Sequence, residues 1–224
     1  MSKLYIVATP IGNFKDITIR ALEVLREADV IAAEDTRVTR KLLNHYHISK
    51  LLISYREQVH HKASSRILSF LKEGKSVALV SDAGTPAISD PGHWLIRKVV
   101  EERSAVVIPI PGPSALSAMI SASDINLASF SFLGFPPHKK GRKKFFTFAA
   151  ESICPIILFE SPHRIQKTLF ELRIASGDRY TNIGRELTKV HEEIFRGLLS
   201  EASVYFTGER KRGEFVIILE ARKR

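Results

Sequence analysis

VALVSDAGTPAISDPG, residues 77–92, joins a short apolar run over 77–81 directly to a loop built of small and turn-forming residues. An unbroken apolar run of this length suits a strand covered on both faces, the usual state of a parallel strand. Runs of the same kind recur at residues 4–8, 30–33, 51–54 and 106–110. Helical patterns lie between them. Ile17, Ala21, Val24, Leu25 and Ala28 recur at helical spacing, with Asp16 as N-cap and Arg20, Glu23, Arg26 and Glu27 off the apolar face. Further helices are expected over residues 39–47, 60–73, 91–102 and 113–121, and Pro91, Pro113 and Pro162 each suit a first helical position, where the missing N–H costs nothing. This alternation predicts a parallel sheet flanked by helices.

Past residue 122 the regular alternation stops. Residues 130–133, 156–160, 180–185, 193–196 and 215–220 read as strands with fewer helices between them, so a mixed α/β half follows. Two domains are therefore expected, residues 1–122 and 123–224. The uncharged stretch 104–123 is long enough to span a bilayer, but Pro109, Pro111, Gly112 and Pro113 break it, and it reads as a buried strand, a turn and a helix start. Lys3 runs at once into strand-like Leu4 to Val7, which is not a secretory leader.

The 224 residues are 44% hydrophobic and 26% charged with 12 Gly and 10 Pro, which excludes collagen-like, low-complexity and disordered classes. A net charge of +10 favours a polyanionic partner, nucleic acid before membrane. The single cysteine, Cys154, permits neither an internal disulfide nor a cysteine-rich zinc site and fits a reducing, cytoplasmic setting.

In open α/β sheets, ligands bind beyond the carboxyl ends of the strands, so the loops that follow the strands carry the functional weight. Thr9-Pro10-Ile11-Gly12-Asn13 follows the first strand, either as a plain turn or as a place where Gly12 lets backbone approach a ligand. Glu34-Asp35-Thr36-Arg37 ends the second with adjacent carboxylates and a cation; helix capping by Asp35 or Thr36 is the structural explanation, a substrate-holding rim the functional one. Pro111-Gly112-Pro113-Ser114-Ala115 is a strand-to-helix connection or a polar-ligand site on free N–H groups. In the second half, Phe159-Glu160-Ser161-Pro162-His163-Arg164 repeats the strand, cap and proline pattern, and residues 185–193 concentrate ionisable groups just after a strand.

Neither a dinucleotide-binding G-x-G-x-x-G nor a phosphate-binding G-x-x-x-x-G-K-[ST] is present, which removes the main support for NAD or ATP chemistry. His45 with His47, and His60 with His61, lack zinc-site spacing, and no nucleophile elbow is found. The run His138-Lys139-Lys140-Gly141-Arg142-Lys143-Lys144 is a solvated helix start or a phosphate track, with Lys139, Lys140, Arg142, Lys143 and Lys144 reaching outward together.

Taken in order, TPIGNFKDIT, EDTR, SDAGTPAISDPG, PIPGPSA, FLGFPPHKKGR, FESPHR and RELTKVHEE resemble the ribosomal RNA small subunit methyltransferase I family, within the tetrapyrrole methylase, or class III S-adenosylmethionine methyltransferase, superfamily. The resemblance spans residues 4–220. It implies an α/β protein of two αβα domains of the tetrapyrrole methylase type, the N-terminal sheet mostly parallel and the C-terminal sheet mixed, a homodimer, and S-adenosylmethionine bound in the cleft between the domains. It implies 2'-O-methylation of a cytidine in the decoding region of small-subunit (16S) ribosomal RNA, free or in the assembled subunit. Carried over by motif, the donor would be lined by Pro10, Ile11, Gly12, Asp82, Gly84, Thr85, Ala87, Ser114, Ala115, Phe159, Glu160 and Leu187. Tetrapyrrole-modifying relatives carry a glycine-rich acidic loop after the first strand where this chain has Thr9 to Asn13, which favours the RNA branch. Members of that branch usually continue well past the last strand, whereas this chain stops at Arg224.

A ribose hydroxyl is a poor nucleophile at neutral pH, so a neighbouring base or an alkoxide-stabilising cation is expected; Glu34, Asp35, Arg37, Lys189 and Glu192 are the candidates. Methylation of a tetrapyrrole or another small acceptor is the alternative within catalysis, and a non-catalytic ribosomal RNA-binding assembly factor is the alternative outside it.

Overall fold

A computed structural model of the chain describes residues 2–56, 60–90 and 92–222, without the side chains of residues 60–62. Pro91 and the side chains of His60 and His61 lie outside the described residues. The chain divides into two compact units, Met1–Ser114 and Ala115–Arg224.

The first unit holds strands β1 (Lys3–Val7), β2 (Val30–Ala33), β3 (Leu51–Ser54), β4 (Val77–Val80) and β5 (Val106–Ile110), with helices α1 (Ile19–Glu27), α2 (Thr36–His45), α3 (His60–Lys72) and α4 (His93–Glu101). The strands form one parallel sheet in the order β3-β2-β4-β1-β5. Alternate residues serve opposite faces. Tyr5, Val7, Ile31, Ala33, Ala78 and Val80 pack with Val24 and Leu25 of α1 and Leu42 and Leu43 of α2. Leu4, Ile6, Val30, Ala32, Val77 and Leu79 pack with Ile67 and Leu71 of α3 and Leu95 and Val99 of α4. A fully buried Val, Leu or Ile side chain contributes roughly 1.5–3 kcal/mol, which is why the interior strands carry apolar residues at every position. The expectation that β3 and β5 are equally buried is corrected: both are sheet edges, and much of each is accessible.

One cap and two helix starts also change. Thr18, not Asp16, caps α1, its hydroxyl accepting from Ala21 N at 3.1 Å. Asp16 instead lies in a short 3-10 turn, Phe14–Asp16, that Asn13 caps. Pro113 and Pro162 stand ahead of their helices rather than at the first position. After Pro162, the carbonyl of Ser161 accepts from Arg164 N and Ile165 N, a turn that delays the helix start to Ile165.

The second unit begins with α5 (Ala115–Ser121), which packs against the strand at Phe215–Leu219 and buries Met119. It continues with β6 (Ser131–Gly134), α6 (Arg142–Glu151), β7 (Ile156–Glu160), α7 (Ile165–Ser176), β8 (Tyr180–Arg185), β9 (Glu193–Leu198), α8 (Leu199–Tyr205) and β10 (Phe215–Leu219). The sheet order is β6-β7-β10-β8-β9, with β6 and β7 parallel and the other pairs antiparallel, so the sheet is mixed. Its helical face is closed by Phe146, Leu169, Leu172, Leu199 and Phe206 over Ile156, Leu158, Ile183, Phe215 and Ile217. Among the described residues no helix is long and apolar enough to cross a membrane.

Candidate functional site

Because the first sheet is wholly parallel, the carboxyl ends of its strands share one edge, and the loops there are tied to each other. Thr9 and Gly84 exchange backbone hydrogen bonds of 2.9 Å each. The Thr9 hydroxyl also donates to Ser81 O at 3.1 Å, and the Thr85 hydroxyl donates to Pro113 O at 3.1 Å. The loops after β1, β4 and β5 therefore form one bonded edge that contains Pro10, Ile11, Gly12, Asp82, Gly84, Thr85, Ala87 and Ser114. Gly84 has φ +79°, where a side chain is strained whatever the space around it. Ala87 and Ser89 take φ of 71° and 65° without being glycine, so the same loop holds backbone strain of the kind that gathers at binding sites. A Cβ on Gly112 would come within 3.1 Å of Ala8 Cβ. Glycine is thus favoured at 84 by backbone conformation and at 112 by close packing against β1's end.

The residues after β2 join this edge through carboxylates. Asp82 Oδ1 accepts from Asp35 N at 2.8 Å, and Glu34 Oε2 accepts from Asp82 N at 3.4 Å. Asp35 is the N-cap of α2, accepting from Arg37 N at 2.8 Å and pairing with Arg37 Nη2 at 2.6 Å and Arg56 Nη2 at 3.2 Å. The hydrogen bonds from Arg37 hold the Asp35 carboxyl well below the usual carboxylate range. Glu34 and Asp82 are shifted the other way, both raised chiefly by burial and then by neighbouring acidic charge. Asp90 is pushed up to about 6 by burial and by the charge of Glu34. Asp90, Glu34, Ser81 and Tyr55 line one small recess below the loops. Asp90 was absent from the candidates of the sequence, although its place as an acid in a loop of small residues was a usable signal. Arg56, which also donates from Nε to Glu34 O at 3.0 Å, had no such signal.

In the second unit the candidate side chains are already engaged. Glu160 is 1% exposed; its carboxylate pairs with Arg164 at 2.9 Å and accepts from the Thr168 hydroxyl at 2.6 Å and from Ser161 N at 2.7 Å. Lys189 Nζ lies 2.8 Å from both Glu186 and Glu214; burial lowers its pKa, but the two carboxylates together raise it above the ordinary lysine value. Glu192 accepts from Thr188 N, and Glu186 and Thr188 have φ of 50° and 67°. Lys189 and Glu192 therefore hold the strained loop after β8, in which Leu187 is buried. Phe159 packs edge-on to Phe132, centroids 4.9 Å apart.

The basic run is corrected at one position. Lys139, Lys140, Lys143 and Lys144 are exposed, but Arg142 is 5% exposed. Its guanidinium bonds Glu171 at 2.6 Å, Thr168 Oγ1 at 2.8 Å and Pro137 O at 2.9 Å, so it knits α6 to α7 and does not reach outward with the lysines.

The family model for tetrapyrrole (corrin/porphyrin) methylases matches residues 3–203. The chain is 47% identical to the ribosomal RNA small subunit methyltransferase I of Halalkalibacterium halodurans, over 97% of this chain and 75% of that one. It is also 47% identical to the protein of that name from Thermotoga maritima, over 100% of both chains, so the continuation expected past the last strand is not a feature of every such relative. Among solved structures, a cobalt precorrin-4 methyltransferase of cobalamin biosynthesis superposes with a TM-score of 0.73 at 21% identity, covering 97% of this chain and 94% of that one. A uroporphyrin III C-methyltransferase from Thermus thermophilus gives 0.70 at 17% identity, covering 96% of each. Both show the shared fold.

Proposed function

The chain belongs to the tetrapyrrole methylase family, in its ribosomal RNA small subunit methyltransferase I branch, and from that premise we propose that it methylates the 2'-hydroxyl of a cytidine in the decoding region of small-subunit ribosomal RNA. It is a methyltransferase, and S-adenosylmethionine is the methyl donor. The observation that carries the RNA reading is the identity of 47% to relatives of that name, sustained across the whole chain, against 21% or less to the tetrapyrrole-modifying structures.

The bonded edge of the first unit fits such a donor. Exposed Gly12 and Gly112 offer backbone without bulk, and the exposed Asp82 carboxylate suits hydroxyl groups or a cation. When bound, the donor supplies a methyl group already activated on a sulfonium. Alignment against it supplies much of the rate. The remaining chemistry is the proton of the ribose hydroxyl, and we assign its acceptance to Glu34. That carboxyl stands in a partly buried acidic group with Asp82 and Asp90, all three raised, where a base of higher than ordinary carboxylate strength is available at neutral pH. Asp35 and Arg37 neutralise each other and orient α2, and Lys189 and Glu192 orient the loop after β8. Phe159, Glu160, Leu187 and Ala115 remain proposed donor neighbours, with the committed Glu160 carboxylate leaving only its backbone for that role. A homodimer, a cytoplasmic setting and a substrate of either free RNA or the assembled subunit belong to the same proposal.

Incubation with labelled donor and, in parallel, small ribosomal subunits, protein-free small-subunit RNA and a tetrapyrrole precursor tests the reading. Label is expected in RNA. Label in the tetrapyrrole alone would replace it with the small-acceptor alternative, and donor binding without transfer to any of the three would replace it with an assembly factor.

A further inference from the structure

Phe135 follows β6 directly, and its ring is 49% exposed. A lone exposed aromatic means little. This one is supported: Phe159 meets it with centroids 5.6 Å apart, and Phe159 is in turn supported by Phe132 at 4.9 Å. The backbone just after the ring is clamped as well. Pro136 O accepts from Arg164 Nη1 at 2.8 Å and Pro137 O from Arg142 Nη1 at 2.9 Å, and those two arginines are themselves paired to Glu160 and Glu171. The exposed face is therefore held by rings beneath it and by two ion-paired guanidinium groups beside it, that of Arg142 buried and that of Arg164 partly so.

Four cations follow at once. The carbonyl of Lys139 accepts from Arg142 N at 3.2 Å, closing a turn through Gly141 at φ +84°, and Lys143 and Lys144 occupy the first turn of α6. Lys139, Lys140, Lys143 and Lys144 are all exposed. No side chain caps α6, so its first-turn amides add to the attraction for an anion. Lys139 is four residues from Phe135, at most about 14 Å along the chain. A fixed aromatic face beside a short row of lysines is the combination by which proteins hold single strands: the ring stacks a base and the cations take the neighbouring phosphates.

We propose that Phe135 is the stacking platform for an unpaired base of the RNA, with Lys139, Lys140, Lys143 and Lys144 on the adjoining phosphates. This assignment rests on the reading of the chain as an RNA methyltransferase and adds to it the residue that holds a base. Arg142, inside the basic run, points inward and fixes the carbonyl two residues past the platform.

The test is binding of a protein-free, single-stranded oligonucleotide from the small-subunit RNA, measured at several salt concentrations, for the full chain and its Phe135→Ala, Phe135→Leu and Phe135→Trp variants, with thermal melting as the fold control. Stacking of one base is worth about 5- to 150-fold in affinity. Phe135→Ala and Phe135→Leu should lose that factor with an unchanged slope of log affinity against log salt, and Phe135→Trp should keep it. Replacing Lys139, Lys140 and Lys143 by Gln should instead flatten the slope by about 0.7 for each phosphate released. Wild-type affinity in both Phe135→Ala and Phe135→Leu overturns the platform while leaving the RNA reading intact. A wild-type chain that binds neither the oligonucleotide nor small ribosomal subunits, assayed in parallel, at any salt overturns both. Loss confined to assembled subunits, with protein-free RNA bound normally, assigns the ring to a protein contact and also overturns the platform.

Discussion

In the first unit Glu34, Asp82 and Asp90 crowd the ends of β2 and β4 with their carboxyls raised by burial, whereas in the second Glu160, Arg185 and Lys189 are each matched by an opposite charge. Topology accounts for the contrast. A parallel sheet brings carboxyl-terminal strand ends together, so the acidic residues that end neighbouring strands meet each other. In the mixed sheet, β10 runs against β7 and β8, and its leading residues lie beside the trailing residues of those strands. Glu214 thereby reaches Lys189, and the carbonyl of Glu214 accepts from Glu186 N at 2.9 Å. The first unit keeps carboxyls raised above their ordinary range, and the second uses its charges to hold loops still.

The largest effect that would break this contrast is on turnover. Glu34→Gln should lower methyl transfer by about 10²- to 10⁴-fold with donor affinity kept, as expected when a general base is lost. Isothermal titration with the donor and a single-turnover assay separate the two, and an unchanged rate removes Glu34 from the chemistry. Next comes stability in the second unit. Glu160→Ala removes the buried partner of the Arg164 guanidinium and of the Thr168 hydroxyl, and losing one partner of a buried pair costs about 3–5 kcal/mol, less here because Arg164 is partly exposed. Urea denaturation should show it; a wild-type midpoint would mean that Glu160 is not a structural anchor.

The smallest effect is a pH dependence. Asp90 titrates at about 6 in the folded chain against an ordinary value of 3.8, so the fold favours its protonated form. Its contribution to stability is complete below the unfolded pKa and is lost as pH rises through about 6. Asp90→Asn should therefore flatten the fall in stability between roughly pH 4 and pH 7. Denaturation midpoints recorded across that range decide it, and parallel curves for variant and wild type would contradict the assigned environment.

What could be read from the sequence follows from the range of the forces involved. The interior strands announced themselves because burial on both faces demands apolar residues at every position, as in Val30–Ala33 and Val77–Val80. Which strands lie at the edge was not legible, since Leu51–Ser54 and Val106–Ile110 are apolar too and edge position depends on pairing between distant segments. Asp16 and Thr18 are both able caps, and the choice of Thr18 turned on a separate turn capped by Asn13. At the site, the glycine-bearing loops were visible from their composition. The inward turn of Arg142 was hidden, because a run of cations looks uniform until Glu171 and Thr168 arrive from another helix. Asp90 stood in view as an acid in a loop of small residues, but its raised carboxyl was not legible, because the burial and the Glu34 charge that raise it come from packing between separate strand ends.

The central claim is the transfer of a methyl group to a ribose hydroxyl of small-subunit RNA, and the chemistry of that hydroxyl offers the most direct measurement. Alkaline cleavage of RNA requires a free 2'-hydroxyl, so RNA methylated with labelled donor and then hydrolysed in alkali reports the position of the methyl group. The account predicts label in one alkali-resistant dinucleotide whose methylated residue is cytidine. Label released entirely as mononucleotides would place the methyl group on a base and contradict it.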